Sequence, residues 1–328
     1  MSGASGQGGV FGNPGLLAAG AAGCVSAVCA LWAMRGLPLG TGVLWIASFP
    51  LFAAGLGFGV ASAAVASLLG VLLVAISGGG FAAVIYLALF GIPAPLLVLA
   101  AQGQVPGQVS GQGLGQGPAP GQAPGAGPGR VSLSLPLALL GLWPLAVLLL
   151  SAAFLAGSGG LEAAMRQAME VALRRLGMPA PETLVAGLVR VKAGAIGFWA
   201  AIALLANAGA AAGFLAKRGL LRGGKPDWAA VRLPGWYPVL PALALGLFLA
   251  APAGGDAVAL SALLLLLVPL FLQGVAGVHA RLRGRKARLP MLVGFYLLVV
   301  LFLQLMGPGL VGLGLYDQFL RRQAPRQT

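Results

Sequence analysis

Catalysis needs titratable or nucleophilic side chains held together, and this sequence offers few of them. Six acidic residues, one histidine and two cysteines are spread over 328 residues. The acids Glu162, Glu170, Glu182, Asp227, Asp256 and Asp317 fall in loops or on a surface helix, and His279 stands alone. No nucleophile, general base and orienting group can be assembled from this set, so the chain reads as a non-enzyme. Cys24 and Cys29 lie on one apolar run. Helical rise alone separates them by about 7.5 Å, beyond the ~7 Å that a disulfide tolerates. With one distant His279 they form no metal-ligand set, and neither metal nor cofactor is expected. Gly78-Gly79-Gly80 lacks the Lys-Ser/Thr of a phosphate loop and reads as a turn.

What remains is hydrogen-bonding chemistry inside apolar segments. Asn207, Gln273 and Gln304 are the polar groups at that depth, with His279 and Asp256 at segment ends. Polar groups in such places mark solute paths. No apolar segment holds a carboxylate or a lysine, which disfavours autonomous ion-coupled transport. An amide carries two donors and an acceptor and is costly against hydrocarbon. Asn207 and Gln273 are therefore the candidate ligand-binding pair, expected to face the interior in one another's neighbourhood. Their alternative role is to hydrogen-bond a neighbouring helix.

The elements that must position them are membrane helices. Charged residues make up 8% of the chain, hydrophobic residues 59%, and mean hydropathy is +0.95. Apolar segments lie near 15–34, 38–57, 59–77, 80–101, 132–156, 194–215, 237–252, 257–278 and 290–315. A bilayer core takes ~20 residues of helix, and lipid forces the backbone to satisfy its own hydrogen bonds. The fold class is all-α: a polytopic transmembrane bundle of about eight to nine spans plus one interfacial helix. Pro38, Pro50 and Gly307-Pro308-Gly309 are expected to shorten or kink the segments that hold them.

Five regions follow. Residues 1–14 form a disordered N-terminus without a basic signal-peptide region, so the first span is expected to stay as an anchor. Residues 15–101 are N-terminal membrane helices. Residues 102–130, rich in Gln, Gly and Pro, are expected to be a flexible linker. Residues 131–322 are C-terminal membrane helices, including an amphipathic helix over 160–178. Residues 323–328 are a tail. On the amphipathic helix, Leu161, Met165, Met169 and Leu173 share one face, and Glu162, Arg166, Glu170 and Arg174 alternate in sign down the other. It reads as a connector packed on the bundle end. Small residues at Ala18, Ala22, Ser26 and Ala30, and at Gly55, Gly59, Ala63 and Ser67, read as internal packing stripes.

A net charge of +14 is distributed in short clusters between apolar runs, which fits lipid headgroups and not nucleic acid. Lys217, Arg218, Arg222, Lys225 and Arg232 precede the hairpin 237–278, and Arg281, Arg283, Arg285, Lys286 and Arg288 follow it. Both ends of the hairpin are therefore expected in the cytoplasm, with Ala253-Gly254-Gly255-Asp256 outward. Counting back, the linker and N-terminus fall inside. Arg190 and Lys192 then fall outside, against the rule, and nine full spans would also carry Arg321, Arg322 and Arg326 outside. Trp236 and Tyr237 suit the headgroup boundary, with Arg232 reaching phosphate or a carbonyl.

Three late stretches carry a resemblance. They are Pro226-Asp227-Trp228 through Arg232-Leu233-Pro234-Gly235-Trp236; Phe271-Leu272-Gln273-Gly274-Val275 through His279; and Leu313-Gly314-Leu315-Tyr316-Asp317 through Arg321-Arg322. In that order, each after an apolar span, they resemble the YybS-like family of bacterial membrane proteins, a domain of unknown function. The similarity covers about 15–101 and 131–322, with the Gln/Gly linker as a local insertion. It marks Asp227, Arg232, Pro234, Trp236, Gly274, His279, Asp317 and Arg321 as motif positions, and it implies a multi-pass protein of the bacterial inner membrane without an assigned activity. The N-terminal half is also similar to the substrate-binding subunits of energy-coupling-factor transporters, through the small-residue first helix, Pro50 and Gly55-Leu56-Gly57-Phe58-Gly59. That similarity implies a small molecule bound between helices and a separate ATPase module or other membrane subunits as partners. The expected function is non-catalytic and transport-related, with a small solute bound in the bundle. The alternative is a structural or regulatory membrane protein that organises partners through basic cytoplasmic loops.

Overall fold

The computed structural model describes residues 13–102, 133–175, 177–178, 181–222, 224, 226, 228, 231–252 and 256–319. The linker from 103 onward, the turn 253–255, Asp227 and Arg321 lie outside the described residues. Every described element is helical. The chain divides into two compact units, Met1–Ser132 with Ala203–Asp227 and Leu133–Ile202 with Trp228–Thr328.

The first unit begins with α1 (Pro14–Met34), where the Asn13 Oδ1 accepts the Gly15 N–H at 3.0 Å and Pro14 opens the first turn. Two shorter helices follow, α2 (Gly40–Trp45) and α3 (Phe49–Phe58), separated by a turn at 46–48. Then come α4 (Val60–Tyr86), a π-helical turn over Leu87–Gly91, and α5 (Pro93–Gln102). Inside α4, Gly79 adopts φ 85° and ψ 172°, a conformation open in practice only to glycine. The chain folds back there. The Tyr86 hydroxyl lies against Gly70 and Val71 lies against Gly91, whereas a straight helix would hold residues 70 and 86 about 24 Å apart. The small stripes pack inward as a seam: Ala22, Ser26 and Ala30 of α1 and Ala63 and Ser67 of α4 are buried. Gly23 sits against the Ala66 carbonyl, so these two backbones touch. Tyr86, fully buried, hydrogen-bonds the Ser26 hydroxyl across the seam at 2.7 Å.

The second unit holds α6 (Ser134–Leu155), a 3₁₀ turn over Ala156–Ser158, and α7 (Gly160–Arg175). The first part of α8 (Glu182–Lys217), α9 (Val239–Ala250), α10 (Ala257–Arg281), α11 (Arg288–Leu301) and α12 (Leu303–Phe319) complete it. The apolar face of α7 is covered: Leu161 packs with Leu148 and Leu265, and Leu173 packs with Val185 and Val189. Its polar face carries the Glu162–Arg166 and Glu170–Arg174 pairs, 3.6 and 3.8 Å long. Pairs this exposed stabilise a helix by only ~0.3–0.5 kcal/mol.

Among the described residues, six helices are long and apolar enough to cross a membrane: Pro14–Met34, Gly40–Phe58, Val60–Gln102, Ser134–Ser158, Val185–Lys217 and Ala257–Arg281. They become seven if Arg288–Leu301 and Leu303–Phe319, bent by 118°, are one span. The sequence segments number nine, and the difference has identifiable causes. Segments 59–77 and 80–101 form the single 43-residue run folded at Gly79. Helix α9 has 12 residues, about 18 Å of rise and short of a ~30 Å core.

Candidate functional site

Described parts of the three late sequence stretches, around Leu233, Gln273 and Gly314, meet in the second unit. Gln273 of α10 is 2% exposed and Gln318 of α12 is 1% exposed. The Gln273 Oε1 accepts the Leu233 N–H at 2.9 Å, and its Nε2 donates to the Gly314 carbonyl at 2.9 Å and to the Gln318 Oε1 at 3.1 Å. The Gln318 Nε2 donates to the carbonyls of Leu233 at 2.9 Å and Pro234 at 3.4 Å. Two amides thus read the backbone of the 231–235 loop as a sheet edge would. About two turns further along α10, Arg281 grips the buried Asp317 with two charge-assisted bonds of 2.9 and 2.7 Å.

Glycines make this node possible. Gly274 lies on the Leu310 carbonyl and Gly314 on the Leu270 carbonyl, and Gly277 lies on the Asp317 carboxylate. A Cβ at any of them would occupy space already taken. The same logic operates deeper in the unit, where Pro269 interrupts α10. There Gly141 admits the Tyr237 hydroxyl, the Leu265 carbonyl and the Pro269 ring. The Tyr237 hydroxyl donates to the Leu266 carbonyl at 3.0 Å, beside the carbonyl that Pro269 leaves without its helical N–H.

The motif residues therefore fall into two groups. Pro234, Gly274 and Asp317 belong to the node, which also includes Gln273. His279 lies one turn away and pairs its Nε2 with the Tyr296 hydroxyl at 2.7 Å. Arg232 is exposed and Trp236 is 50% exposed. Tyr237 corrects its expectation. It is fully buried, and its hydroxyl donates to the Leu266 carbonyl of α10 instead of facing a headgroup boundary.

Asn207 belongs to the first unit. It is buried, and its Nδ2 donates to the Trp45 carbonyl at 2.6 Å and to the Ala203 carbonyl at 2.8 Å. Asn207 and Gln273 bond different partners in different units. Trp45 closes α2, and three residues on, Ser48 precedes α3 with a fully buried hydroxyl that has no hydrogen-bond partner. Ser67 on the α1–α4 seam is the other such hydroxyl among the described residues. The end of this unit near Phe58 is tied separately: Arg222 donates to the Phe58 carbonyl at 2.8 Å, and the Gln102 Nε2 donates to the Gly55 carbonyl at 3.2 Å. Gln304 is exposed on α12.

Sequence reasoning missed several partners. Gln318 gave no signal of its own, because it sits past the apolar run. Arg190 looked misplaced, yet its guanidinium grips Asp256 through both carboxylate oxygens, the Nε at 3.1 Å. An isolated acid at the turn of a hairpin and an isolated base beside a span were the available hints. Among the described residues, no group of three or more His, Cys, Asp and Glu side chains comes together to hold a metal ion. No family model, curated protein or solved structure matches the chain.

Proposed function

We propose that this chain is a non-catalytic, transport-related protein of the bacterial inner membrane, similar to the YybS-like proteins, that binds a small neutral polar solute within its helices. The observation that carries this reading is the break between α2 and α3. There the Ser48 hydroxyl is buried without a partner, three residues from the carbonyl that Asn207 holds. A buried hydroxyl without a hydrogen bond is costly, which favours an occupant able to supply one. Broken helices are where membrane transporters bind their cargo. No carboxylate or basic side chain lies on α2 or α3, so the solute should be uncharged there, with energy supplied by a separate ATPase subunit.

The topology we infer is eight crossings and one re-entrant hairpin. Each arm of Val60–Gln102 crosses once, α9 with its flanks crosses as a short span, and α11–α12 enters and returns. Two ion pairs support this. Arg281 with Asp317 joins the last turns of α10 and α12, so both ends of the bent pair share one end of the unit. That arrangement keeps Arg321, Arg322 and Arg326 cytoplasmic. Arg190 with Asp256 neutralises one basic residue on the outward side, which leaves Lys192 as the residual exception there.

Purified protein should be screened for thermal stabilisation by uncharged polar metabolites such as sugars, nucleosides and amides. A ligand held at 100 Kd raises stability by ~2.7 kcal/mol. The reading requires a stabilising compound whose effect is lost in Ser48→Ala and Asn207→Leu while both variants still fold. Stabilisation unchanged in both variants would contradict it. The second reading, a scaffold that recruits partners, is favoured by the fully bonded Gln273–Gln318 node, which leaves no amide for a solute; partner capture without any ligand response would support it.

A further inference from the structure

We infer that the elbow between α10 and α11, with the outer face of α11, is a binding site for an anionic phospholipid. Three observations meet there. The first is charge. Arg285, Lys286 and Arg288 follow α10 within seven residues, and all are exposed. Asp317, on the neighbouring α12, is already bound to Arg281. The other acids described in this unit, Glu162, Glu170, Glu182 and Asp256, belong to α7 or to the beginnings of α8 and α10. Among the described residues, no ion pair involves Arg285, Lys286 or Arg288, so these three carry a surplus of positive charge at the elbow.

The second is apolar surface. Helix α11 buries no residue. Leu289, Val293, Leu297 and Val300 are 73%, 61%, 58% and 77% exposed. The third is placement. The His279–Tyr296 bond keeps Tyr296, about 12 Å along α11, level with the last turn of α10. The basic residues thus stand at the mouth of the α11–α12 hairpin, and the apolar ladder leads inward from them. An anion alone would satisfy the charge and leave the ladder uncovered, and a neutral lipid would do the reverse. A diacyl lipid with a phosphate headgroup and net negative charge satisfies both.

The test uses full-length protein in phosphatidylcholine nanodiscs with trace spin-labelled phosphatidylglycerol or phosphatidylcholine, read as the motionally restricted fraction. Wild type should prefer phosphatidylglycerol at least threefold. The triple variant Arg285→Gln, Lys286→Gln and Arg288→Gln, on exposed positions, should bring the ratio near one without changing the melting temperature. Lys217→Gln with Arg218→Gln, which removes equal-sign charge elsewhere, should keep most of the preference. Millimolar glycerol 3-phosphate should not displace the lipid. Equal preference in wild type, an unchanged ratio in the triple variant, or equal losses in both variants would overturn the assignment. So would displacement by glycerol phosphate, which marks a plain anion site. Self-association through α11 that the triple variant abolishes, without lipid selectivity, would also overturn it.

Discussion

At the scale of single residues, Asn207 and Gln273 look alike in sequence and differ in consequence. Each is an amide in an apolar helix, and each was legible as a group needing interior partners. What could not be read was the identity of the distant partners, which lie 40 to 162 positions away. Gln273 satisfies the buried N–H of Leu233 and binds a second amide, so its loss strands groups on two segments, the 231–235 loop and α12. A stranded buried polar group costs about 1–3 kcal/mol. Asn207 only donates, and the Ala203 carbonyl is one helical turn behind it on the same helix. Its loss should cost near the ~0.6 kcal/mol average of interhelical bonds in membranes. Thermal unfolding in detergent should therefore rank Gln273→Leu well below Asn207→Leu. Adding Gln318→Leu to Gln273→Leu should cost less than the two single losses combined, since both amides act on one loop. Equal melting temperatures for the single variants would show that the node is not a structural clamp.

At the scale of elements, the apolar runs located most helices to within a few residues: 15–34 became Pro14–Met34 and 257–278 became Ala257–Arg281. Hydropathy sees which segments prefer lipid, and it is blind to how two helices approach. The 290–315 segment became two helices bent at Phe302, and nothing in its apolarity specified the direction of return. That direction is set by glycine at the α10–α12 crossing, where Gly274 and Gly314 each lie on the opposite helix's carbonyl. Gly274→Ala or Gly314→Ala must push the helices apart, and overpacking of this kind costs about 1–3 kcal/mol. Gly294→Ala on α11 meets nothing within 4 Å and should change stability by less than about 1 kcal/mol. Unfolding of the three variants under one set of conditions checks the contrast. If all three behave alike, close backbone contact is not what holds α12 to α10.

At the scale of the whole molecule, the sign and placement of charge predict an orientation for the 237–278 hairpin but produce two contradictions, at Arg190 and at the C-terminal arginines. Both arose from treating charges as independent and every apolar segment as a full crossing. Pairing removes the first in part, because Asp256 neutralises Arg190. The proposed returning hairpin would remove the second. The central claim is that α11–α12 enters and leaves on the cytoplasmic side, anchored by Arg281 and Asp317. The most direct measurement is cysteine accessibility in intact cells, in a background with Cys24 and Cys29 replaced by alanine. Single cysteines at Arg285 and at Phe319, both exposed positions flanking the hairpin, should resist an impermeant thiol reagent and react after permeabilisation. Labelling of Phe319→Cys from outside, with Arg285→Cys protected, would make the pair a complete crossing and contradict the account.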